Sequence, residues 1–198
     1  MSRKIVLFAT ALLTSVFTLS ATAGSIPYDN IGTEAPSTAF QAQADGEIIA
    51  YFYATDAGYD SQIGMWVNGV ATGIYGLWNH GSSRGDSLVL GEVKAGDIIA
   101  FELKVSNINS SWYSVSSLNS DGLNHAYSTD FAGDEYIPMG TYIGFEDKLN
   151  LGDFDYNDHQ FVFTNVRKSS VPEPGSMALL GLGLIALRFA RKRVAVAA

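Results

Sequence analysis

Apolar residues alternate with polar ones through Ile98–Val105, placing Ile99, Phe101, Leu103 and Val105 on one face and Glu102 and Lys104 on the other. That period of two predicts a half-buried strand. Glu47–Ala54 also reads as a strand, being rich in branched and aromatic residues and closed by the turn cluster Thr55-Asp56-Ala57-Gly58. Ile63–Val67 stops at Asn68-Gly69, a strong hairpin signal leading to a partner over Ile74–Trp78. Further strands are expected at Ser87–Leu90, Ser111–Ser117, Tyr142–Glu146 and Gln160–Val166. No long amphipathic helix interrupts them. Short strands with frequent turns predict an all-β domain, an antiparallel β-sandwich or jelly roll over residues 24–168. The chain has 198 residues and no cysteine, so this core must hold without disulfides.

The pattern changes at the two ends. Arg3-Lys4, an apolar run from Ile5 to about Leu19, and Ala21-Thr22-Ala23 together predict a secretory signal peptide over residues 1–23, removed by signal peptidase. At the other end residues 169–174 form a linker, with Pro172 and Pro174 breaking any helix that would continue from the domain. Residues 175–198 are expected to be a transmembrane segment. Its apolar run, Gly175 to Leu187, is short for about 30 Å of hydrocarbon and reaches across if Arg188 snorkels. Arg191, Lys192 and Arg193 then remain on the cytoplasmic side. A Gly181-x-Gly183-x-x-Ala186 spacing lies inside this run without a preceding strand, so it is no dinucleotide fingerprint.

Charge follows the same division. The net charge is −8, but six of the 12 Lys and Arg sit at the two ends, whereas all 20 Asp and Glu lie between Asp29 and Glu173, leaving the middle at −14. A surface this acidic excludes nucleic acid as a partner and favours divalent cations.

Pro172-Glu173-Pro174, the short Gly- and Leu-rich span and the cluster Arg188, Arg191, Lys192 and Arg193 resemble the PEP-CTERM sorting signal of Gram-negative bacteria. The resemblance implies transient anchoring in the inner membrane and cleavage near P-E-P by an exosortase. The product would then reach the outer surface or the extracellular matrix.

The stretch with the densest chemistry is Gly144–Phe163, GFEDKLNLGDFDYNDHQFVF. Glu146, Asp147, Asp153, Asp155, Asn157 and Asp158 offer the oxygen donors that hard cations prefer. Asp153-x-Asp155-x-Asn157 has the spacing of a loop wrapped around Ca2+, yet it is not an EF-hand, since Asp158 replaces the required glycine and Thr164 the terminal glutamate. These six residues are expected to form a structural Ca2+ site, because close anions repel unless neutralised. The competing reading makes them turn formers that cap loop backbone. The same run, with Asn124-His125 upstream, is similar to a secreted bacterial domain of unknown function that ends in G-F-E-D and D-x-D-Y-N-D motifs. That resemblance implies an all-β surface domain and no known activity. His125 is expected to be a loop hydrogen-bonder rather than a ligand.

Glu146 with Asp153 or Asp158 could in principle form a glycosidase pair. No G-x-S-x-G elbow accompanies His80, His125 or His159, and the expectation is a protein that is not an enzyme. Trp112, Tyr113 and Trp78 are candidate platforms for stacking sugars, while Trp66 is expected in the core. Arg84-Gly85-Asp86 is expected to be a turn. The reading that follows is an exported, non-catalytic surface, matrix or biofilm protein that meets extracellular polysaccharide. A carbohydrate-binding module is the alternative.

Overall fold

A computed structural model describes residues 26–169. The expected signal peptide, the transmembrane segment and the sorting residues Pro172 to Arg193 lie outside them. Among the described residues no helix is long and apolar enough to cross a membrane.

The chain forms β1 (Ala39–Ala42), β2 (Gly46–Thr55), β3 (Ser61–Val67), β4 (Val70–Gly76), β5 (Ser87–Val93) and β6 (Ile98–Val105). It continues with β7 (Ser110–Tyr113), β8 (Ala126–Phe131), β9 (Gly140–Phe145), β10 (His159–Phe163) and β11 (Val166–Ser169). Two antiparallel sheets result. One runs β11-β1-β6-β3-β4, with β7 also paired to β6, and the other runs β5-β2-β10-β9-β8. β1 and β7 share one edge of β6, the first at Ile98–Ile99 and the second at Glu102–Val105.

The alternation in β6 has its expected consequence. Ile99, Phe101, Leu103 and Val105 face a common core with Phe40, Ile63 and Met65, against Ile48, Phe52, Leu90, Ile143, Phe145, Phe161 and Phe163 of the other sheet. Phe101 stacks on Phe163 across the two layers at 3.9 Å between centroids. Each such buried aromatic contributes about 1.5–3 kcal/mol of transfer free energy, which stands in for absent disulfides. The Asn68-Gly69 turn also forms as expected. Both residues take positive φ, 50° and 82°, as a tight hairpin turn requires.

Four details differ from the sequence-based expectation. Glu102, on the polar side of β6, is only 5% exposed. It accepts hydrogen bonds from Trp66 Nε1 (2.7 Å), Tyr75 OH (2.8 Å) and Ser111 Oγ (2.6 Å), which compensate its burial. Trp66 is accordingly half-buried on the outer face of its sheet rather than in the core. The strand expected over Gln160–Val166 splits at Asn165, whose φ of 60° turns the chain so that β10 and β11 enter different sheets. Likewise, Ser111–Ser117 is strand only as far as Tyr113, followed by a short 3-10 turn at Ser116–Leu118.

β10 is buried at every residue because its sheet is covered on both faces. The outer side packs Tyr53, Tyr142 and Val162 beneath Ile137 and Ile26. This double cover fixes the ends of β9 and β10, from which the acidic loop springs.

Candidate metal centre in the β9–β10 connection

β9 and β10 pair with Phe145 opposite His159 at the open end, so residues 146–158 form one long hairpin loop. Asp147 N–H donates to Asp158 Oδ2 at 2.9 Å and closes the mouth of this loop. Beyond it the backbone turns repeatedly through positive φ, at Asn150, Leu151, Gly152, Phe154 and Tyr156. Non-glycine residues reach that region at a cost, so the surrounding contacts must hold them there. Tyr156 is the main pin. Its hydroxyl donates to the Asn124 carbonyl (3.0 Å) and accepts from Ala35 N–H (2.8 Å), while its own N–H donates to Glu146 Oε1 (2.7 Å). Gly144 permits this approach, because a Cβ there would collide with the Tyr156 carbonyl oxygen.

Three of the six expected ligands converge. Glu146, Asp153 and Asp155 each bring one carboxylate oxygen to within 4.8 Å of the others. Glu146 is fully buried, Asp155 half-buried and Asp153 exposed, so the group is anchored inside and open to solvent at its rim. Glu146 Oε2 is buried without a hydrogen-bond donor, and so are both oxygens of Asp147. Burial, followed by repulsion from Asp158, Asp153 and Asp155, raises the Glu146 carboxyl to about 8 against the single offsetting Tyr156 N–H. Burial and then Asp158 likewise raise Asp147. Burial also raises Asp155, despite the Asn157 N–H that donates to it. Such carboxylates hold protons or a cation near neutral pH.

The donor set suits a hard ion. It consists of carboxylate oxygens, and Cys is absent from the chain. His125 is occupied: Nδ1 lies 3.0 Å from the Glu146 carbonyl and Nε2 lies 3.0 Å from Asp121 Oδ2. His159 is buried with Nδ1 2.9 Å from Ser61 Oγ, and burial lowers it to about 3.

The other expected ligands divide. Asp147 and Asp158 lie together at the loop mouth. Asn157 supports Asp155 instead, donating from its side chain to Oδ2 at 2.6 Å and from its backbone to Oδ1 at 3.2 Å. Supporting residues that the motif did not reveal come from elsewhere. Asp121 accepts from Asn150 N–H at 2.9 Å, and Thr55 Oγ1 donates to the Asp158 carbonyl at 2.6 Å. Only their sequence neighbourhood, an Asp four residues before His125 and a strand end at Thr55, hints at this.

Trp112 is corrected as a sugar platform. It is 3% exposed, stacked on His125 at 4.0 Å, and donates from Nε1 to the Asp147 carbonyl at 2.7 Å, so it has no open face to offer a ligand. Tyr113 is half-buried, and Trp78 remains exposed. In the Arg84-Gly85-Asp86 tripeptide Asp86 accepts from Ser83 N–H within the turn, whereas Arg84 reaches away from it to the Tyr53 carbonyl and Asp134.

Fold and loop together define a two-sheet all-β domain with a carboxylate cluster, buried at Glu146 and open at its rim, at one hairpin end. Residues 89–165, from within β5 to the turn after β10, match the Domain of unknown function (DUF4114), and residues 170–193 match the PEP-CTERM protein-sorting motif. No curated protein and no solved structure matches the chain. The sorting motif marks an exported protein, made as a membrane-anchored precursor and processed by an exosortase.

Proposed function

We propose that this is a non-catalytic surface or extracellular-matrix protein of a Gram-negative bacterium, stabilised by Ca2+ held at Glu146, Asp153 and Asp155. The observation that carries the metal reading is the buried Glu146 Oε2, which has no donor and lies in a group of converging carboxylates. An ion there would tie the end of β9, through Glu146, to the part of the loop that leads into β10, in a chain without disulfides. The sorting motif supports the surface role, and the acidity of the chain supports cation-dependent association outside the cell. Limited proteolysis of the exported chain tests the metal reading. Residues 146–158 should resist cleavage in millimolar Ca2+ and be cut in EDTA; equal cleavage would overturn it.

A polysaccharide-binding role is the second reading. It rests on Trp78, which is 45% exposed, and on half-buried Tyr113 beside Trp66. Glycan-array binding that is lost in Trp78→Ala or Tyr113→Ala would favour it.

A further inference from the structure

The loop mouth holds a second group of acids that the first centre does not use. Asp147 is fully buried, and neither of its carboxylate oxygens has a donor. Asp158, 4% exposed, lies beside it and uses Oδ2 to accept the Asp147 N–H. Two neighbouring buried carboxylates cannot both remain ionised without something positive between or beside them. Lys148, the only Lys or Arg in the loop, acts on Asp158 and Asp147 through its charge. Its side chain is exposed and forms no close ion pair among the described residues, so it offsets the two acids only in part.

We propose that Asp147 and Asp158 form a second divalent-cation site next to the one at Glu146, Asp153 and Asp155. The second site rests on the calcium reading of the first. With Lys148 counted, the five carboxylates of the loop carry a net of four negative charges, which one divalent ion halves and two cancel. The ligand chemistry is the same at both positions, oxygen donors for a hard cation. Asp158 is well placed to link them, because its Oδ2 accepts the N–H of Asp147, the residue that directly follows Glu146. The competing occupant of the Asp147–Asp158 pair is a shared proton.

Ion counting separates these possibilities. The exported chain is stripped with EDTA, dialysed against Ca2+ and assayed for bound calcium by mass spectrometry, beside Asp147→Asn and Asp155→Asn. Two ions in the parent chain and one in each variant are expected. One ion in both the parent and Asp147→Asn overturns the second site and leaves the first. No ion in the parent overturns both. Two ions retained in Asp147→Asn also overturn the second site. If Asp147→Asn does not fold, terbium luminescence titration of the parent decides: a break at two equivalents supports the proposal, and a break at one overturns it.

Discussion

Two loop regions of this protein use the same residue type in opposite ways. In the turn between β5 and β6, Asp97 accepts hydrogen bonds from Lys94 N–H (2.7 Å) and Asn68 Nδ2 (2.9 Å). Beside it, Asp45 accepts from Ala95 N–H (2.9 Å) and Lys94 Nζ (3.2 Å). Both carboxyls are held below their ordinary values, chiefly by those backbone N–H donors. In the β9–β10 loop, Glu146 and Asp147 are buried with oxygens that no donor meets, and both are raised. The first region is complete as a protein structure. The second leaves buried carboxylate oxygens that a proton or a cation would neutralise.

The largest expected effect comes from the glycines. Gly144→Ala drives a methyl group into the Tyr156 carbonyl and should cost about 3 kcal/mol by overpacking, lowering the denaturant midpoint. Gly96→Ala in the other loop has open space but a φ of 88°, so its cost should stay near about 1 kcal/mol. Equal losses would erase the contrast between the loops.

Next in size is Glu146→Gln, whose effect should depend on calcium. In saturating Ca2+ it should lower stability by about 2 kcal/mol through lost binding. In EDTA it should change stability by less than about 1 kcal/mol, because the Glu146 carboxyl, raised to about 8, is already neutral near pH 7 when no cation is bound. Asp97→Ala should instead give a small loss, that of its hydrogen bonds, and the same loss in Ca2+ as in EDTA. Denaturant titrations of both variants in the two conditions check this.

A pH-dependent effect concerns His159. Its folded pKa of about 3 lies below the ordinary 6.5, so between these values the unfolded chain takes up a proton that the folded chain refuses. Its contribution to stability is therefore present above about pH 6.5 and declines as pH falls toward 3. The stability deficit of His159→Gln relative to the parent should narrow as the buffer is taken from neutral to mildly acidic pH. A constant deficit would contradict this.

Long alternating or branched and aromatic runs made β2, β3 and β6 legible in the sequence, and Asn68-Gly69 named its own turn. β1, β8 and β11 are short and mixed in composition, and pairing rather than propensity makes them strands. The acidic run was visible as a cluster, but burial sorts its members, and burial depends on Asn124, Ala35 and Tyr156 meeting across the chain. Trp112 misled for the same reason. Its Ser-rich neighbours suggest a strand with exposed flanks and an open aromatic face, whereas stacking on His125 places it in the core.

The most direct measurement is a thermal melt of the exported chain in millimolar Ca2+, in EDTA and in Mg2+. A Ca2+-specific rise of several degrees is expected, corresponding to about 2.7 kcal/mol at a hundredfold excess over the dissociation constant, together with its loss in Asp155→Ala. An identical melting temperature in all three conditions would contradict the calcium site and return Glu146, Asp153 and Asp155 to the role that Asp97 already plays.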